Sequence, residues 1–354
     1  MKRILLILSL ILLWFDASAQ RVILVKTGDA QSLLDAIGQA NRWNEAKDAE
    51  RTIILIPDGF YDLGDIMLTR VSGNNVSLIG QSAERTIIRN KPDVKIESIS
   101  KTAVLQNRGT NNYYQDLTLR NDLDYYASVP DGRAVCLQDK GTRTICNRVR
   151  MLSYQDTYYS DNEKCQNYMT DTEIHGTLDF ICGAGDVWFE RCRIVTEKRT
   201  LDGSGTNIIT ATRTSHTPWG YIFNRCVIEN KVSMFNYGRS WHTDPRCVWL
   251  YTTLLTPDKL VATRFDAEGM KTSKNYFKEY QTMDAQGRDI TPATNVVTFT
   301  LRDHTQPFVA ETIMTKEEVR QYTLRNIFGD WRPDKVSRKL EQQARKIKRK
   351  YKLN

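Results

Sequence analysis

The sequence predicts an all-β chain wound as a parallel β-helix, a solenoid with a short N-terminal capping helix and a C-terminal helical segment. Short runs rich in β-branched and aromatic residues follow one another, with turn signals between them and few helical stretches. One hexameric pattern recurs, as YQDLTL (114–119), CNRVRM (146–151), MTDTEI (169–174), FERCRI (189–194), FNRCVI (223–228) and LYTTLL (250–255). Its fourth residues, Leu117, Val149, Thr172, Cys192, Cys226 and Thr253, stand 32, 23, 20, 34 and 27 positions apart. Such steps suit units that bury their apolar faces only by stacking on their neighbours. A β-sandwich is the competing all-β architecture, but it would not require the hexamer to recur.

In chain order, residues 1–19 come first. Lys2 and Arg3 precede an apolar run from Ile4 to Trp14, and Ala17-Ser18-Ala19 closes it, which reads as an export signal with its cleavage site. The run is shorter than the roughly 18 apolar residues that span a bilayer. The mature chain is therefore expected to be exported, periplasmic or secreted, without membrane insertion. Residues 20–331 read as a single β-helix domain, because no Pro/Gly/Ser-rich linker divides them. Within it, Leu33, Leu34, Ile37 and Ala40 fall at helical spacing over 29–40, a cap for the first coil. Thr315 and Glu318 form a capping-box pattern, so a helix is expected to start there and run towards Asn326. Residues 332–354 form a basic tail.

The formal charge of +8 is concentrated in that tail, which carries ten Lys/Arg against Asp334 and Glu341. The body is close to neutral, so no strongly basic surface speaks for a nucleic-acid partner, and an export signal speaks against one. Val336, Leu340, Ile347 and Tyr351 lie along one helical face of the tail, which is read either as a frayed, solvated extension or as a weak docking element for acidic polymer or an anionic surface. Seven cysteines cannot all pair with one another and lack C-x-x-C spacing, so they read as buried small hydrophobes. Cys192 and Cys226, in the same place of successive repeats, are near enough for a disulfide and are read as an inward ladder of free thiols. The four histidines, His175, His216, His242 and His304, show no ligand spacing, so neither metal nor cofactor is called for. His175 stands out only because it abuts Gly176.

The polar pattern is sharper. Asp156, in YQDTYY (154–159), and Asp179, in GTLDFICG (176–183), are separated by the same 23 residues that separate Val149 from Thr172. The two aspartates should therefore stack one coil apart, about 4.8 Å between strands. Carboxylates that close repel, leaving a proton on one of them, so one can act as nucleophile and the other as proton donor. A further step of 23 back reaches Arg133, giving a column of Arg, Asp, Asp. Tyr154, Tyr158, Tyr159 and Phe180 would form an aromatic wall that stacks on a sugar face. Polar ladders also decorate solenoid surfaces, so the spacing alone leaves a non-catalytic reading open.

These motifs resemble those of pectin methylesterases. YQDT (154–157), GTLDFICG (176–183) and YGRSW (237–241) are similar to that family's YQDTL, GTVDFIFG and LGRPW, and weaker likeness runs through IPDGFY (56–61) and NYFKEY (275–280) to about Trp331. The resemblance implies a right-handed parallel β-helix that removes methyl esters from the galacturonate units of pectin (homogalacturonan). It implies Asp179 as nucleophile, Asp156 as acid and then base, Gln155 as oxyanion donor and Arg239 as the cation that keeps Asp179 ionised. Trp241, Tyr154 and Phe180 would contact the sugar. The family's oxyanion glutamine opens a QAVAL-like segment, whereas here the segment is RAVCL and begins with Arg133. Arg133 is expected at the oxyanion or the substrate carboxylate, or else paired with Asp156. A polysaccharide hydrolase or lyase, or a non-catalytic polysaccharide-binding protein, could share the fold.

Overall fold

The computed structural model describes residues 21–128, 132–214, 216–232, 234–242, 245–270, 274–301 and 307–353. The export-signal reading of residues 1–19 lies outside them. Each coil contributes a strand to three parallel ladders, and the chain winds as a right-handed parallel β-helix. One ladder runs from Arg21–Leu24 through Thr52–Ile56, Val76–Gly80, Gln166–Thr170, Asp186–Glu190, Tyr221–Asn224 and Arg246–Leu250 to Tyr276–Tyr280. A second runs alongside it, and the two merge where Tyr113–Asn121 and Ile145–Leu152 span both faces. The third is a seven-stranded sheet of Thr69–Val71, Leu105–Asn107, Leu137–Asp139, Tyr158–Ser160, Leu178–Gly183, Thr206–Thr212 and Met234–Ser240.

The recurring hexamer is the corner between the first two ladders. Its third residue takes a left-handed conformation in Asp116, Arg148, Asp171, Arg191 and Arg225, with φ between 51° and 55°, which bends the chain from one face to the next. The fourth residue then points inward: Leu117, Val149, Thr172, Cys192 and Cys226 are wholly buried. The last hexamer is one residue out of register. Asn224 pairs with Leu250 and Val227 with Thr253, so Cys226 faces Thr252 rather than Thr253, and Tyr251 takes the left-handed corner. The pattern LYTTLL offers two threonines for one inward position, and only the backbone pairing chooses between them. Inside, Phe189, Phe223 and Trp249 stack at centroid separations of 4.3 and 3.9 Å. All seven cysteines are buried and free.

Helix α1, Ala30–Trp43, is capped by the Asp29 side chain and closes the first coil with Leu33, Ala36, Ile37 and Ala40. The Thr315/Glu318 capping box is present, but the helix it starts, α2 (Lys316–Val319), ends after one turn. Thr323 caps a separate short helix, α3 (Leu324–Phe328), because its hydroxyl takes the Asn326 amide. The basic tail is neither frayed nor wholly solvated. It forms α4, Pro333–Lys350, which buries Leu340, Ala344 and Ile347 against a face built from Ile53, Tyr113, Ile145 and Trp188. Lys348 Nζ lies 2.6 Å from Asp116 and Arg148 lies 2.8 Å from Glu341, so ion pairs lock the helix to the corner column. Its outer face still presents Lys335, Lys339, Lys346 and Arg349. Among the described residues no helix is long and apolar enough to cross a membrane.

Candidate active site

The third sheet carries the site. Tyr158 pairs with Ile181, so Asp156 and Asp179 share the register that their spacing predicts, one coil apart. Both take left-handed backbone, φ 58° and 50°, which non-glycine residues seldom adopt and which marks over-determined, often functional positions. Asp179 also sits in a bulge: Leu178 to Ile181 pairs with Ile208 to Thr210, an extra residue that re-aims side chains. The bulge turns both Phe180 and Ile181 into the interior.

Two members of the expected aromatic wall are therefore absent from it. Phe180 and Tyr158 are fully buried core residues and cannot touch a substrate. Phe180 packs where Gly176 leaves room, since a Cβ at 176 would lie 2.2 Å from the Phe180 Cβ. Tyr159 and Trp241 do lie on the outer face, 6.0 Å apart, with the Arg213 guanidinium 5.3 Å from the indole. Tyr154 stacks on Tyr125 at 4.8 Å with near-parallel rings, and Tyr126 meets it edge-on.

The two carboxyls differ in their partners. Arg239, two coils beyond Asp179, grips it with both prongs, Nε to Oδ1 at 3.0 Å and Nη2 to Oδ2 at 2.5 Å. Gly238 makes this approach feasible, because a Cβ there would meet Thr210 Oγ1 at 2.0 Å. Among the described residues Asp156 has no such cation in contact and accepts only a long bond from the Cys182 thiol, 3.6 Å. Burial raises both carboxyls above the usual range. Asp156 rises much further, through burial and then the charge of Asp179, whereas Arg239 offsets the effect of burial on Asp179. On losing protons in turn, the pair therefore ionises first at Asp179, leaving Asp156 as the acid.

Gln155 precedes Asp156 and is largely buried. It lines a cleft of about 520 Å³ together with Tyr125, Tyr126, Leu178, Arg199 and Leu201. Its amide makes no hydrogen bond to another described residue, so it is available to an incoming oxygen. Arg133 does not continue the aspartate column. It bridges Gln155, one place out of register, because this coil is shorter than 23 residues: Tyr158 pairs with Leu137, 21 positions earlier, and Gln155 with Arg133, 22 earlier. Its guanidinium is also not paired with Asp156. Glu97 takes its Nη2 at 2.9 Å, its Nε at 3.0 Å and its backbone N–H at 2.7 Å.

Glu97, Arg199 and the Tyr125-Tyr126 pair escape a reading of the sequence, because they lie on loops with no period; the aromatic doublet before RAVCL is the only signal they leave. Arg199 adds attraction at Asp179. His175 is a clamp rather than a site member: its ring nitrogens lie 2.6 Å from Glu173 and from Glu197, and its carbonyl accepts the Thr157 hydroxyl at 2.7 Å.

Comparison with known proteins adds the family. The pectinesterase family profile matches residues 22–288. Tomato (Solanum lycopersicum) pectinesterase 3 is 29% identical over 184 residues, which is 52% of this chain and 32% of that protein. The chain spans about a third of the length of the first curated relatives it matches. Among solved structures, pectin methylesterase from carrot aligns with a TM-score of 0.66 at 19% identity, covering 88% of this chain and 94% of that one. A pectin methylesterase crystallised with a hexasaccharide aligns at 0.63 and 21%, covering 84% and 93%. At such identities the structures speak to the fold, and the profile, matching most of the sequence, speaks to descent. The chain belongs to the pectinesterase family.

Proposed function

We propose that this protein hydrolyses the methyl esters of galacturonate units in pectin, releasing methanol and pectate through an acyl-enzyme on Asp179. The observation that carries this reading is the asymmetry of two buried, stacked aspartates, one gripped by Arg239 and the other not. A carboxylate held ionised by a fork of donors is a nucleophile at rest, and a neighbour kept protonated by burial is an acid. An Asp179 oxygen attacks the ester carbonyl, and the oxyanion of the tetrahedral intermediate accepts the Gln155 amide. Collapse breaks the bond to the methoxy oxygen, which leaves as methanol with the Asp156 proton. Asp156, now a carboxylate, takes a proton from water as that water attacks the acyl group, releasing galacturonate and Asp179. Trp241 and Tyr154 border the sugar path, and no cofactor takes part.

The reading extends to an exported protein, cleaved after residue 19 and acting in the periplasm or the medium. The exposed lysines and arginines of α4 offer weak attraction to acidic polymer, on a face distinct from the catalytic sheet. Methanol release from highly methylated pectin tests the assignment. The parent should release methanol, Asp179→Ala should lose at least about 1,000-fold and Asp156→Ala about 100-fold or more. Reducing ends or unsaturated products in place of methanol would make the protein a hydrolase or lyase instead, and an Asp179→Ala variant within tenfold of the parent would remove the nucleophile.

A further inference from the structure

Resting on that proposed reading, the surroundings of Arg133 show what holds an arginine beside the proposed acid and oxyanion donor. Arg133 bridges Gln155 and lies close enough to Asp156 to count among the charges that act on it, as does Glu97 with opposite sign. A lone arginine at that place would pull Asp156 towards its ionised form, against burial and the charge of Asp179, and weaken the acid. Glu97 opposes this pull. It follows the short helix Val94–Ile96, its side chain is only 7% exposed, and it binds Arg133 through backbone and guanidinium together. The two charges of the fork act on Asp156 in opposite senses, Arg133 the more strongly, so Glu97 reduces the pull of the arginine while holding it beside the oxyanion donor.

We infer that Glu97 is a positioning residue of the catalytic cleft: its buried carboxylate fixes Arg133 beside Gln155 and opposes its charge, which strengthens the hold of Asp156 on its proton.

The test is the alkaline limb of the kcat/KM profile for methanol release, measured on the parent, Glu97→Gln, Arg133→Gln and the double variant. Glu97→Gln removes the negative charge that opposes Arg133, which favours ionised Asp156 and should move the limb down by about 1 pH unit. Arg133→Gln leaves the negative charge of Glu97, which disfavours ionised Asp156 and should move it up. The double variant should return the limb to within about 0.5 pH unit of the parent. A purely structural role would lower rates without shifts of opposite sign, so limbs that stay put or move together overturn the inference while leaving the esterase reading intact. A parent that releases no methanol overturns both. If Glu97→Gln does not fold, Arg133→Lys carries the test: it keeps the charge but loses the fork, so about tenfold lower kcat/KM is expected, and parent-like kcat/KM overturns the inference.

Discussion

Replacing Arg239 by alanine removes both prongs from Asp179 and leaves the rest of the cleft in place. The two side chains are 14% and 8% exposed, so the pair is largely out of water. Removing one partner of such a pair leaves an uncompensated buried charge, worth about 3–5 kcal/mol. Asp179 can escape part of that by binding a proton. At 1.36 kcal/mol per pH unit, a deficit of about 3 kcal/mol corresponds to a pKa about 2 units higher. The proposed nucleophile must be ionised, so the acid limb of kcat/KM should move up by about 2 pH units. At pH below the parent's limb, methanol release should be about 100-fold slower than in the parent, the deficit shrinking about tenfold per pH unit towards the new limb. A pH profile on highly methylated pectin reads the shift, and a thermal melt shows whether the fold survives. An acid limb that stays where the parent has it, in a folded variant, would refute the reasoning that Arg239 holds Asp179 ionised.

Three further outcomes are expected. The parent profile should be bell-shaped and displaced above the ordinary carboxylate range: activity falls on the acid side as Asp179 takes a proton and on the alkaline side as Asp156, pushed higher by burial and by Asp179, loses one. In a rate–pH series, Asp156→Asn should lose the alkaline limb. Gly176→Ala puts a Cβ 2.5 Å from the Tyr154 carbonyl oxygen and 2.2 Å from the Phe180 Cβ; overpacking should lower stability by about 1–3 kcal/mol, seen as a lower Tm, with methanol release falling as Phe180 displaces Asp179. Leu340→Ala should cost about 2 kcal/mol or more by denaturant melt and leave kcat/KM unchanged, because α4 packs on a face away from the catalytic sheet; an unchanged midpoint would mean the helix contributes nothing to the fold.

The sequence by itself determined the winding and the stacking of the two aspartates. The hexamers carried the corner column, the match of two 23-residue steps placed Asp156 over Asp179, and the Asp29-led amphipathic run gave the capping helix. These follow from the chain's own period: when coils stack in register, a residue's place along the strand is set by counting. What only the tertiary structure decided is where side chains point and what distant loops supply. A bulge at Asp179 turned Phe180 into the core, a coil shorter than 23 residues took Arg133 out of the aspartate column, and Glu97, 36 residues earlier, captured it. The basic tail became a docked helix through Arg148 and Glu341, 193 residues apart. Counting sees none of these, because bulges break the count and ion pairs between distant segments form wherever packing brings opposite charges out of water together.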